Sequence, residues 1–133
     1  MIEFIVPGRA QGKARARTFY NPKMGKMMSV TPEQTVNYEN LIKICFMQAV
    51  EAGYKPTEKP VTVEVEAVYR QVKTNKMEEP MLKPDVDNVA KVVLDALNGF
   101  AYIDDKQVVG LIVRKIWGEP EGLMVKVEEV PAF

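Results

Sequence analysis

Lys83-Pro84-Asp85-Val86-Asp87-Asn88-Val89-Ala90-Lys91-Val92-Val93-Leu94-Asp95-Ala96-Leu97-Asn98-Gly99 is the stretch from which the fold can be read outward. Pro84 biases Lys83 away from helical backbone, which places Asp85 on an extended lead-in. From about Asp87 to Asn98 the apolar residues Val89, Val93, Ala96 and Leu97 fall on one helical stripe. Asn98-Gly99 is a strong C-terminal stop. Before this helix, Val61, Val63, Val65, Ala67 and Tyr69 alternate with Thr62, Glu64 and Glu66, the pattern of a strand with one buried face. After it, Val108 to Trp117 and Leu123 to Val130 read as a pair of strands joined by Gly118-Glu119-Pro120-Glu121-Gly122.

Further out, Ile2 to Val6 alternates as a first strand and stops at Pro7-Gly8. Residues 9 to 30 are rich in Gly, Lys and Arg, with short strands expected at Thr18 to Tyr20 and Met27 to Val30. Thr31-Pro32-Glu33-Gln34 opens a helix that runs towards Gly53, with Thr31 as N-cap and Pro32 in first position. Its expected apolar stripe is Val36, Leu41, Ile44, Cys45, Met47 and Ala49. Lys73 to Lys83 is polar and contains Pro80, so a mobile loop is expected. The order of elements predicts an α+β fold, a single domain over residues 1–133, with a mixed sheet and two main helices packed on it.

A chain of 133 residues with 47% hydrophobic and 27% charged residues can bury a real core. No signal peptide or membrane span is read from it, and a cytoplasmic location is expected. Cys45 is the only cysteine and reads as a core side chain, so thiolate metal sites and internal disulfides are excluded. Histidine is absent, which removes Ser-His-Asp triads and histidine zinc sites. Chemistry must rest on carboxylates, lysine, tyrosine or a hard metal ion. Net charge is zero, yet six basic residues (Arg9, Lys13, Arg15, Arg17, Lys23, Lys26) and no acidic ones lie between Phe4 and Pro32. That arm, about residues 7–30, suits phosphate contacts and would also suit a solvated loop.

Two acidic groups carry the chemistry. Asp85 and Asp87 sit in an extended Asp-x-Asp, where two carboxylates on one side lie about 6–7 Å apart. Held that close they repel unless a divalent cation neutralises them, and oxygen ligands favour Mg²⁺ or Mn²⁺. Asp104-Asp105 lies between the second helix and the next strand. Each group also has a plain use: Asp85 or Asp87 as a helix cap, Asp104-Asp105 as a turn, Lys91 as a surface ion pair.

Taken together, Lys83-Pro84-Asp85-Val86-Asp87-Asn88, Lys91, Leu94-Asp95-Ala96-Leu97-Asn98-Gly99 and Tyr102-Ile103-Asp104-Asp105-Lys106-Gln107-Val108-Val109 resemble the core signature of RusA-type Holliday-junction resolvases. Val6-Pro7-Gly8 with Lys13-Ala14-Arg15-Ala16-Arg17 is similar to the family's basic opening, with Ala16 where proline is common. The match is most specific over residues 83–109, the expected catalytic core. The resemblance implies that Asp85, Asp87 and Asp105 bind the metal, that Asp104 is their acidic neighbour and that Lys91 is the essential helical lysine. It implies a Mg²⁺-dependent endodeoxyribonuclease, with Mn²⁺ substituting, that resolves four-way junctions by paired symmetric cuts. It further implies an intertwined homodimer, branched DNA as partner, Arg9, Lys13, Arg15, Arg17, Lys23 and Lys26 as DNA contacts, and neither membrane nor nucleotide cofactor.

The second helix is about 16 Å long, so Asp105 reaches Asp85 only if the chain turns back or a partner subunit supplies it. Asp95 reads as structural, Asn88 as a cap or a carboxylate-orienting group. Tyr20 and Phe19 are either stacking residues or, as ribbon residues more often are, buried. Flap or fork cleavage, a non-cutting DNA-binding module and a structural protein are the alternative readings.

Overall fold

A computed structural model describes residues 1–131; residues 132 and 133, the end of the expected 1–133 domain, lie outside the described residues. The elements in chain order are β1 (Ile2–Pro7), β2 (Arg17–Asn21), β3 (Lys26–Val30), α1 (Glu33–Ala49), β4 (Val61–Tyr69), α2 (Val86–Leu97), a 3-10 turn (Asp105–Gln107), β5 (Val108–Trp117) and β6 (Gly122–Glu129). The fold is α+β with a mixed sheet and two helices in one domain. No helix among the described residues is long and apolar enough to cross a membrane.

β4 is built for the middle of a sheet. Val61, Val63, Val65, Ala67 and Tyr69 are all buried, as the alternation predicts. Burying each of the larger ones contributes about 2 kcal/mol. The four-stranded order is β1-β6-β4-β5, with β4 parallel to β5 and antiparallel to β6. β5 and β6 are therefore not neighbours, contrary to the hairpin expected from their short connection. The link instead passes over the end of β4, where the Gly118 N–H donates to the Tyr69 carbonyl at 2.9 Å. It needs to cross only two strand spacings, about 9.6 Å. Inserting β4 satisfies both of its backbone edges and leaves β5 on the outside of the sheet. β2 and β3 form a separate two-stranded ribbon.

α2 keeps the expected stripe, with Val89, Val92, Val93, Ala96 and Leu97 fully buried. Gly99 holds φ +81, a left-handed conformation that glycine adopts without strain, and ends the helix as expected. α1 differs in detail. It starts one residue later, with Pro32 rather than Thr31 at the cap, because the Pro32 carbonyl accepts the first helical hydrogen bonds from Thr35 and Val36. It ends at Ala49, short of Gly53. Its buried face is Thr35, Tyr38, Ile42 and Phe46, while Val36, Ile44 and Met47 are exposed. The aromatic pairs settle this rotation: Phe46 meets Phe4 and Tyr54 edge-on at 5.8 and 5.6 Å. Cys45 is half-buried against the core, and burial raises its thiol pKa.

Candidate active site

The buried valines pin the inward face of α2, so its first turn must point its polar residues outwards. Asp85 occupies the N-cap position with extended backbone (φ −66°, ψ 152°), and Asp87 lies in the first turn. Both are exposed. Asp85 makes no side-chain capping hydrogen bond among the described residues. Neither carboxylate takes part in an ion pair there. The helix-cap use that the sequence also allowed is thus not found for Asp85, and an ion pair of Asp87 with Lys91 is not found either, although Lys91 does form a surface ion pair with Asp95.

Asp85 lines a cleft of about 580 Å³ together with the stretch Glu79 to Lys83, Val86, and Val113 to Lys115 of β5. The loop forming its wall, expected to be mobile, is tied down. The Lys115 ammonium donates to the Leu82 carbonyl. Trp117 Nε1 donates to the carbonyls of Met77 and Glu78 at 3.2 and 3.1 Å, and the Tyr69 hydroxyl to that of Lys83 at 3.3 Å. Lys83 and Arg114 bring positive charge to the rim beside Asp85.

Asp105 stands at the opposite end of α2. It opens the turn before β5, whose first residue Val108 is level with the start of β4. Tyr102, whose hydroxyl donates to the Leu94 carbonyl at 2.8 Å, has its pKa raised by burial and then by the Asp105, Asp95 and Asp104 carboxylates. The Asp85 cleft, by contrast, meets β5 at Val113–Lys115. Five or more residues of strand separate the two places, about 16 Å or more. The chain therefore does not bring Asp105 round to Asp85 within one subunit. Among the described residues no three acidic or cysteine side chains lie close enough together to hold a metal ion.

Asp104 caps the turn, where its N–H donates to Gln107 Oε1 at 2.9 Å and its carbonyl accepts from the Gln107 N–H at 3.0 Å. Gln107 Nε2 reaches across to the carbonyls of Thr57 and Lys59 at 2.8 and 2.9 Å. This glutamine fixes the platform on which Asp105 stands.

Lys91 is paired with Asp95 at 3.6 Å rather than with Asp87, and its side chain is 63% exposed. Of the basic arm, Arg9 lies over the Tyr69 ring at 5.4 Å. Arg15, Arg17, Lys23 and Lys26 are exposed and make no ion pairs among the described residues. Lys13 is different. Its side chain is only 19% exposed and bridges Glu39 of α1 at 3.1 Å and Asp95 of α2 at 3.2 Å. Burial pulls its pKa down, and the two carboxylates more than offset that, leaving it above the ordinary lysine value. The ribbon side chains expected to be buried are in fact open: Tyr20 is 59% and Phe19 45% exposed.

Sequence reading assigned no role to Gly12, Glu39, Gln107 or Arg114. Gln107 carried a faint signal inside the quoted motif, while Arg114 lay within the expected strand Val108 to Trp117 with nothing to set it apart. Gly12 and Glu39 act through contacts distant in sequence and gave none.

Two comparisons bear on the site. The family model "Endodeoxyribonuclease RusA" matches residues 7–128. The Bacillus subtilis (strain 168) uncharacterized protein YqaN is 33% identical over 149 aligned positions, covering 98% of each chain.

Proposed function

The chain belongs to the RusA endodeoxyribonuclease family, and from that membership we propose that it is a divalent-metal-dependent endonuclease that resolves four-way DNA junctions as a homodimer. The observation that carries this reading is the state of two neighbouring carboxylates. Asp85 is exposed at the rim of a cleft that Lys83 and Arg114 also line and makes no capping hydrogen bond. Asp87 is exposed in the first turn of α2 beside it, and neither is in an ion pair among the described residues. Their oxygen chemistry suits Mg²⁺ or Mn²⁺. A cation held by Asp85, Asp87 and Asp105 would supply an activated water and neutralise charge at the scissile phosphate. Lys83 and Arg114 would hold a DNA strand at the cleft, while the exposed ammonium of Lys91 offers charge one helical turn beyond Asp87. Arg15, Arg17, Lys23 and Lys26 would track phosphates further along the arms.

Since Asp105 and the Asp85-Asp87 pair occupy opposite ends of one subunit, the dimer has a chemical purpose. β5 is the outer strand, and Val109, Leu111 and Ile112 along it are exposed at 65%, 42% and 49%. A long apolar outer strand is a template for pairing. Antiparallel pairing of β5 with a second copy about a two-fold axis would carry Asp105 of the partner subunit towards the Val113–Lys115 end, beside Asp85. Two composite sites related by that axis match the two symmetric cuts a junction requires.

The test is cleavage of a synthetic mobile four-way junction, a fork and a linear duplex, each in Mg²⁺ and in EDTA, with Asp85→Asn and Asp105→Asn alongside. Paired symmetric nicks in the junction, absent in EDTA and reduced by about 10³-fold or more in both variants, are expected. Equal cutting of fork and junction would reassign the substrate, and binding without cutting in Mg²⁺ or Mn²⁺ would overturn the enzyme reading.

A further inference from the structure

Residues 10 to 14 run across the mouth of both helices. A Cβ placed on Gly12 would stand 2.8 Å from the Cβ atoms of Pro84 and of Asn88, the two residues that flank Asp85, Val86 and Asp87. The backbone of the arm is thus pressed directly against the aspartate segment, at a distance that close packing denies to any larger residue. The next residue fastens it there. The Lys13 N–H donates to the Asn88 carbonyl at 3.0 Å, and its ammonium lies between Glu39 and Asp95. The Ala14 N–H then donates to the hydroxyl of buried Thr35 at 3.2 Å. Three consecutive residues therefore grip the start of α2, its last turn and α1, and the chain continues into exposed Arg15 and Arg17.

We propose that Gly12-Lys13 is a clamp that fixes Asp85 and Asp87 relative to the basic arm, with Lys13 a positioning residue for cleavage rather than a phosphate contact. The proposal rests on the reading of Asp85 and Asp87 given above. Its physical basis is that a cation held between two carboxylates has little charge left to offer a phosphate. What Lys13 does offer is a rigid link, so that phosphates bound by Arg15 and Arg17 sit at a set distance from the aspartates. Displacement of a positioned group by about 1 Å can cost 10²-fold in rate.

Lys13→Met, Lys13→Arg, Gly12→Ala and Arg15→Ala would be compared for junction affinity against salt, for single-turnover cleavage at saturating DNA, and for hydrogen exchange over residues 84–89. A lost phosphate contact lowers the slope of log affinity against log salt by about one. That result is expected for Arg15→Ala. For Lys13→Met the slope should stay unchanged while cleavage at saturation falls by about tenfold or more and exchange over 84–89 rises by about tenfold. Gly12→Ala, which removes no charge, should do the same, and Lys13→Arg, which can still bridge both carboxylates, should restore most of the rate. A Lys13→Met slope reduced by about one, with cleavage at saturation and exchange unchanged, would overturn the clamp. If the unaltered protein neither cuts DNA nor binds Mg²⁺, the nuclease reading fails, and the exchange rates of Lys13→Met and Gly12→Ala still decide whether the clamp holds.

Discussion

The hydroxyl of Tyr38 is buried in α1's inner face and has no well-formed hydrogen bond among the described residues, the Gln11 backbone approaching it without meeting hydrogen-bond geometry. The nearby Gln11 backbone pulls its pKa down slightly, but burial dominates and pushes it up to about 12. A phenol in the unfolded chain ionises near pH 10. The linkage sign follows. Below pH 10 both states hold the proton and stability is full, and above it the unfolded state loses its proton first, so stability falls as pH climbs towards 12. The loss attributable to this residue is about 3 kcal/mol across that window. Tyr38→Phe should remove that share of the alkaline loss. It should also raise stability at neutral pH by about 1 kcal/mol, because an unpaired buried hydroxyl is no longer desolvated. Urea melts of both proteins at pH 8 and pH 11 check this, and a destabilised Tyr38→Phe at pH 8 would show that the hydroxyl is satisfied after all. Residues such as Tyr38 and Lys13 mark the limit of what single positions disclose. Asp85 and Asp87 could be picked out through the resemblance of the whole stretch 83–109 to the RusA signature, since each alone also reads as a helix cap. The extended Asp-x-Asp spacing expected for them is not kept, because α2 already begins at Val86. Lys13 looked like any other arm cation, since the carboxylates that absorb it lie 26 and 82 residues away.

At the scale of elements, α2 and β4 were legible because one property, a regular apolar stripe, decides both their type and their buried face. α1 was legible as a helix but not in its rotation. Its apolar residues surround it, and the packing of Phe46 between Phe4 and Tyr54 selects the face. The extent of β5 was legible, but its exposure was not, because that depends on which strand takes the centre of the sheet. With Val109, Leu111 and Ile112 exposed on an outer strand, a charge there should cost the folded subunit little and a β5-paired dimer much. Leu111→Lys is therefore expected to leave thermal stability of the monomeric fold within about 1 kcal/mol while weakening self-association by about 2 kcal/mol or more, roughly thirtyfold in Kd. Sedimentation over a concentration series measures the second quantity. A variant that stays dimeric at the same concentrations as the unaltered protein would place the interface elsewhere.

Across the whole molecule, the fold class and the acidic motif were readable, whereas the distance between Asp105 and the Asp85-Asp87 pair was not. That distance is a property of topology: a parallel β4-α2-β5 crossover puts the start and end of α2 at opposite ends of the sheet. The consequence can be tested without locating any interface. If Asp105 acts on the site of the partner subunit, a mixed dimer of one Asp85→Asn chain and one Asp105→Asn chain holds one site with both aspartates intact and one with neither. If it acts within its own subunit, both sites of the mixed dimer are damaged. Each variant alone should be inactive. Full subunit exchange between equal amounts, which leaves about half of the dimers mixed with one intact site each, should restore nicking of one junction strand at about a quarter of the rate of the unaltered dimer, with paired cuts still absent. The nicked product, separated from the doubly cut one on a denaturing gel, reads the outcome directly. No recovery under conditions where exchange is verified by two differently tagged chains would place Asp105 in the site of its own subunit and require a rearrangement of residues 100–107 on binding DNA.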